Sequence, residues 1–186
     1  AAKVEEEWAH LKDGPSTLTE AEIARTRGFF TRPAYETGLP DEPPVVASDG
    51  NFERWQRHNV KPHQQPGYAI VTLALKTTGI APGDVTDKQM EFVADLADRF
   101  SFGEIRVTHE QNLTLADVRK QDLYELWQAI GNNHLAAPNL GLLTDMICCP
   151  GGDYCSLANA KSIPVADAIQ RRFDDLDTVY NIGPLN

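Results

Sequence analysis

Between residues 68 and 131 a strand-like run, a helical run, two further short strands and a second helix follow one another, and this order constrains the fold more than any other feature. Residues 68–75 read as a strand, with Ile70, Val71 and Leu73 supplying the β-branched and apolar bulk that suits a pleated, half-buried surface. A turn at Pro82 and Gly83 closes it. Thr86 then precedes Gln89 by three residues, the spacing of a capping box, and Met90, Val93, Ala94, Ala97 and Phe100 recur at helical spacing. Such a stripe needs a sheet to cover it. Residues 104–108 and 113–117 read as two short strands joined by a polar turn, and residues 120–131 as a helix whose apolar face is Leu123, Leu126, Trp127 and Ile130. Strand, helix, strand, strand, helix is most of a ferredoxin-like α+β sandwich, in which two helices cover one face of an antiparallel sheet.

The first fifty residues differ in character. Residues 4–11 carry a short amphipathic helical pattern, and a second helix is predicted from Thr19, with Glu22 completing a capping box and Leu18 and Ile23 spaced as a hydrophobic staple. Residues 31–51 hold Pro33, Pro40, Pro43, Pro44, Gly38 and Gly50, a composition that opposes helix and sheet alike and predicts an extended connector wrapped over another part of the chain. A short helix around 52–58 and the polar run 59–67 then lead into the first strand, with residues 57–65 read as an otherwise unstructured stretch. The expected division is a helical, proline-rich connector at 1–50, a half-domain at 51–137 and a further region at 138–186.

The net charge of −10 repels a polyphosphate backbone, and no cluster of Lys and Arg offsets it, so nucleic acid is excluded as a partner. No apolar run approaches the roughly 18–20 residues that cross a bilayer. Glu5, Glu6 and Glu7 stand where a secretory signal has a basic start and an apolar stretch, so a cytoplasmic location is expected. In that reducing setting three cysteines packed into residues 148–155 are a poor disulfide framework and point to metal or redox work.

Cys149 and Cys155 enclose a turn in which Gly151 and Gly152 let the backbone bend closely, a geometry suited to two thiolates facing a bulky centre. A tetrahedral zinc or a cubane cluster takes four protein ligands, and this chain offers at most three thiolates. Spacing alone leaves zinc, an iron–sulfur cluster and idle thiols open. A four-cysteine site shared across a dimer would complete the set. Cys148, next to Cys149 in an extended segment, points the other way and reads as a packed side chain. Elsewhere Arg57, His58, Lys61, His63, Gln64 and Gln65 gather donors that suit a carboxylate-bearing ligand or, equally, a solvated connector. The polar tip from Thr108 to Asn112 is a weaker candidate, and His134 reads as a surface residue.

Taken in order along residues 50–170, several motifs resemble those of the siroheme-dependent nitrite and sulfite reductases. They are Phe52 and Trp55, Asn59-Val60, Gln65-Pro66-Gly67-Tyr68, Gly83-Asp84 with Gln89, Arg106-Val107-Thr108 leading into Gln111-Asn112-Leu113, and Asp145 with Cys149-Pro150-Gly151 and Cys155-Ser156-Leu157-Ala158. The resemblance is to the second ferredoxin-like half and the start of the iron–sulfur region. It implies an oxidoreductase that carries out the six-electron reduction of sulfite to sulfide or nitrite to ammonia at siroheme bridged to a 4Fe–4S cluster, fed by ferredoxin or a flavoprotein. Cys149 and Cys155 match the first of the family's two cysteine pairs, and residues 138–186 then correspond to part of the cluster and siroheme region. No cysteine follows Cys155, so the second pair and the bridge to siroheme are expected from the missing remainder of the reductase, this chain being truncated and inactive alone. In that reading the cysteine turn and the tail after Tyr180 are poorly ordered without cofactor. The resemblance also places Arg57, Lys61, His63 and Gln65 against the siroheme carboxylates and Gln111 and Asn112 near the macrocycle. Many relatives carry a basic residue where Gln64 stands, so a neutral hydrogen bond replaces a salt bridge there.

Overall fold

The computed structural model describes residues 1–43 and 49–180, the side chains of 175–180 excepted. Pro44 in the connector and the tail after Tyr180 lie outside the described residues. The chain divides into two compact units, Ala1–Tyr35 and Glu36–Asn186.

The first unit holds helices α1 (Ala2–Leu11) and α2 (Glu20–Gly28), neither of which buries a residue. Thr19 caps α2 by accepting the Glu22 N–H at 3.2 Å. The Glu22 carboxylate turns instead to Arg25, at 2.6 and 2.9 Å, so the expected box is half formed. A guanidinium three residues on is a stronger partner for a carboxylate than a backbone amide. Leu18 is exposed and does not staple the helix.

In the second unit, α3 (Gly50–Asn59) runs straight into β1 (Val60–Pro62), followed by β2 (Tyr68–Leu73), α4 (Asp87–Phe100), β3 (Arg106–Val107), β4 (Leu113–Arg119) and α5 (Leu123–Gly131). The four strands form one antiparallel sheet in the order β1-β2-β4-β3. Strand β1 corrects the reading of 57–65 as unstructured: Val60, Lys61 and Pro62 pair with Val71, Ile70 and Ala69 at the sheet edge. Three residues are too few to show an alternation, and Pro62 is tolerable only because an edge strand has one side unpaired.

One apolar face of this sheet is covered by α3, α4 and α5. Trp55 and Phe52 from α3 join Val71, Leu73 and Leu115 of the sheet, Val93, Leu96, Ala97 and Phe100 of α4, and Leu126 and Ile130 of α5 in one core. Around Phe52 the Tyr124 ring stands edge-on at 5.1 Å and the Trp127 ring tilted at 5.5 Å. The α4 capping box forms in both directions between Thr86 and Gln89. The buried stripe of α4 is rotated from the expected one: Leu96 is inside, while Met90 and Ala94 are exposed. Val93, Leu96, Ala97 and Phe100 follow the i, i+3, i+4, i+7 spacing of a core-facing stripe.

The connector from Glu36 to Pro43 does lie over the β1–β2 turn. The Glu36 N–H reaches the Tyr68 hydroxyl at 3.1 Å, and the Gly67 N–H reaches Asp41 Oδ1 at 2.9 Å. Gly67 has φ 83°, and a β-carbon there would stand 2.5 Å from that of Leu39, so only glycine lets the two segments meet. Beyond α5 the chain doubles back along β2, with the Ala74 N–H bonded to the Leu135 carbonyl at 3.2 Å. Buried Asn59 secures this return by donating to the Thr72 and Ala137 carbonyls at 3.1 and 3.0 Å. Two 3₁₀ turns, Leu143–Asp145 and Gly151–Asp153, precede a final helix, α6 (Ser162–Tyr180).

Candidate functional site

Strand residues whose neighbours point into the core point away from the helices. Lys61 and Ile70, cross-strand partners, lie on the side away from core-facing Val71, and with Thr72 and Thr114 they line a cleft of about 620 Å³ on the face opposite α3, α4 and α5. The Thr72 and Thr114 hydroxyls are 3.3 Å apart across the ladder. Around the rest of the cleft stand His58 from α3, His109 and Glu110 from the β3–β4 turn, Asn112, and the segment 140–147. Imidazole and ammonium groups at the rim with hydroxyls inside offer donors to an anionic, oxygen-bearing ligand.

The segment 140–147 is held against the sheet by a buried charge network. Lys76 is fully buried, and its ammonium donates to Asp145 Oδ1 at 2.9 Å and to the Glu110 carbonyl. Asn112 donates to the same Asp145 oxygen at 2.9 Å and accepts the Leu75 N–H at 2.9 Å, while Asp145 Oδ2 accepts the Gly141 N–H at 3.0 Å. A buried ion pair whose remaining lone pairs are also used avoids most of the penalty of burying charge. Lys76 is a residue that sequence reasoning misses. Its one visible sign is its place directly after the apolar run 68–75, because Asp145 lies 69 positions away.

The cysteine turn follows at once. Gly151, at φ 59°, has no room for a β-carbon, which would stand 2.3 Å from the Ser162 hydroxyl, and the Gly152 N–H bonds the Ala160 carbonyl at 2.8 Å. The Cys155 N–H returns to the Gly151 carbonyl at 2.8 Å. The turn is thus folded onto the start of α6 rather than left open. Cys148 is buried, Cys149 exposed and Cys155 intermediate, in keeping with the expected opposition of Cys148 and Cys149. Burial, with a smaller contribution from neighbouring Cys149, pushes the Cys148 thiol above its ordinary value. Among the described residues no group of three or more Cys, His, Asp or Glu converges on a metal position.

The candidates from the sequence fall into separate places. Lys61 and Asn112 meet in the cleft. Arg57 is exposed on α3 and shares with Lys61 a smaller hollow of about 290 Å³ beside β1. The Gln111 amide binds the Cys148 backbone, accepting its N–H and donating to its carbonyl, both at 2.9 Å. His63 turns to the other end of the sheet: Nδ1 accepts the Gln65 N–H at 2.8 Å, and Nε2 lies 3.2 Å from Asp117 Oδ1. Asp117 reaches it because Ala116 and Asp117 together oppose Ile70 in a β-bulge, the kind of irregularity that re-aims a side chain. The Gln65 carbonyl accepts the Tyr68 N–H at 3.2 Å, closing the turn into β2. His134 is exposed, as expected.

An antiparallel sheet with helices on one face and a polar cleft on the other is an α+β, ferredoxin-like half domain. Residues 61–133 match the nitrite/sulfite reductase ferredoxin-like half domain, so this stretch is similar to that part of the nitrite/sulfite reductases. The chain is 28% identical over 129 residues to the chloroplastic ferredoxin–nitrite reductase of Zea mays, covering 64% of this chain and 22% of that one. It is 25% identical over 138 residues to the ferredoxin–nitrite reductase of Synechococcus elongatus, 70% of this chain and 26% of the relative. To the NAD(P)H nitrite reductase of Bacillus subtilis it is 25% identical over 101 residues, 54% of this chain and 12% of the relative. The chain spans about a fifth of the length of the plant relatives it matches. Among the described residues no helix is long and apolar enough to cross a membrane.

Proposed function

We propose that this chain supplies one half-domain and the first cysteine pair of a siroheme and 4Fe–4S nitrite/sulfite reductase. The observation that carries this reading is the adjacency of Gln111 and Asn112: one side chain holds the backbone that leads into the cysteine turn, and the next lines the open cleft. In this reading residues 51–137 are the half-domain and 138–186 the beginning of the cluster region, with 1–50 as connector.

The donor set suits both groups in part. Lys61, His58 and His109 at the cleft bring cationic or N–H donors that suit carboxylates, and Arg57 extends that basic edge. Cys149 and Cys155 supply two thiolates of the four that a cubane takes, so the other two come from another part of the complete reductase. If bound, the siroheme and cluster would relay to the substrate the six electrons delivered by an external donor. This chain's contribution is to hold Cys149 toward solvent, keep Lys61 at the cleft and seat the segment 140–147 through Asp145. The three named relatives are nitrite reductases, which favours nitrite over sulfite as the substrate and ferredoxin as one donor.

The test is the metal content and turnover of the full-length protein. Iron and siroheme should copurify, with reduced viologen dye oxidised on addition of nitrite, and Cys149→Ser or Cys155→Ser should abolish the cluster absorbance. Zinc at one ion per two chains, with no siroheme band, would overturn the reading in favour of a four-cysteine site built by dimerisation.

A further inference from the structure

The Gln111 side chain lies outside the cleft and is held from two sides. It has φ 58°, a left-handed conformation that residues with side chains keep only where their surroundings impose it. Its β-carbon sits against Gly83, where an added β-carbon would approach it to 2.9 Å, and Gly83 is itself tied to the segment just past β2 through the Leu75 carbonyl at 2.8 Å. From this seat the amide makes the two 2.9 Å bonds that use both the N–H and the carbonyl of Cys148. The primary amide engages the two peptide units that flank the Cys148 α-carbon, one through its N–H and the other through its carbonyl, so the Cys148 backbone is fixed in position and in orientation. In a non-helical segment adjacent side chains point to opposite sides. Cys148 is accordingly turned inward, 8% exposed, and Cys149 outward.

We propose that Gln111 is the positioning residue of the cysteine turn: by gripping the Cys148 peptide it keeps the Cys148 thiol buried and presents the Cys149 thiol. This deepens the proposed function, on which a ligand role for Cys149 rests, but the allocation of the two thiols stands on the geometry around Cys148: the two Gln111 bonds and the thiol turned to the Cys149 carbonyl at 3.3 Å. Vicinal cysteines are chemically equivalent as sequence, and a metal-loading or oxidising reagent would otherwise meet two competing thiols.

The experiment is alkylation of the metal-free chain with iodoacetamide at one fixed pH, with each cysteine followed by peptide mass spectrometry. In the unaltered chain Cys149 should react about tenfold faster than Cys148, since access to the thiol sets the rate. Gln111→Ala should accelerate Cys148 about tenfold, while Cys155 changes by less than about twofold. Gln111→Glu keeps an acceptor for the Cys148 N–H and loses the donor to its carbonyl, so it should protect Cys148 to an intermediate degree. A general loosening would instead accelerate Cys148 and Cys155 together in both variants, and that result overturns the proposal. So does a Cys148 rate within about twofold of the original in Gln111→Ala. No cluster is read out, so failure of the reductase reading leaves this outcome interpretable.

Discussion

On the helix-covered face of the sheet Val71, Leu73 and Leu115 meet Trp55 and Phe100 in a dry core, whereas the next residues along the same strands, Ile70, Thr72 and Thr114, face an open cleft. Stability on the first face comes from area removed from water and needs no particular partner for any one atom. On the second face cohesion comes from a few directed bonds, Lys76 to Asp145, Asn112 to Asp145 and Gln111 to Cys148, each of which fails if one atom is lost. Packing therefore sets the stability of the half-domain. The directed bonds set where the cysteine segment sits.

This contrast can be broken experimentally. Trp55→Ala should have the largest effect, about 3–5 kcal/mol in denaturant unfolding, because the ring is wholly buried and its Nε1 has no hydrogen-bond partner among the described residues, so packing is all that is lost. Asp145→Ala comes next. It strands a buried ammonium beside a single carbonyl and should cost about 3 kcal/mol or more, while Lys76→Met combined with Asp145→Leu should regain most of it. If the single and double variants unfold alike, the polar face is held by packing after all. Thr86→Ala removes a capping box remote from the cleft and should cost about 1 kcal/mol, with the cleft and cysteine reactivity unchanged. Thr72→Val should cost less than about 1 kcal/mol, since it removes one neutral hydroxyl contact at a cleft that water enters.

The smallest effect should be that of pH on the connector. The Gly67 N–H, and then Lys120, hold the Asp41 carboxyl below its usual range. Its folded value is depressed, so whatever stability it adds is present above the unfolded carboxylate value of about 3.9 and is lost as the pH falls through the folded one. An NMR titration of the Asp41 carboxyl should show the low midpoint. A midpoint at the ordinary value would mean that the connector does not rest on the Gly67 turn.

Much of the covered face is legible in sequence because burial imposes a period. Leu123, Leu126 and Ile130 follow from helical spacing, and the Thr86–Gln89 box from two residue types three apart. The α4 stripe goes astray at Leu96 because Met90 and Ala94 also fit a helical period, and only the direction of the sheet chooses between overlapping stripes. Strand β1 escapes notice because an edge strand ending in Pro62 takes its definition from the partner, not from its own composition. On the open face almost nothing is local. Lys76 and Asp145 are 69 positions apart, and Gln111 and Cys148 are 37.

The sequence by itself determined the alternation of elements, the helix-covered core and the confinement of all three cysteines to one glycine-bearing turn, since each depends on residues close together in the chain. Tertiary structure alone decided that Lys76 neutralises Asp145, that His63 turns to Asp117 at a bulge, and that Gln111 grips the Cys148 backbone. Those choices depend on which distant polar groups are brought within hydrogen-bond reach once water is excluded, and a pattern of residue types carries no record of that distance.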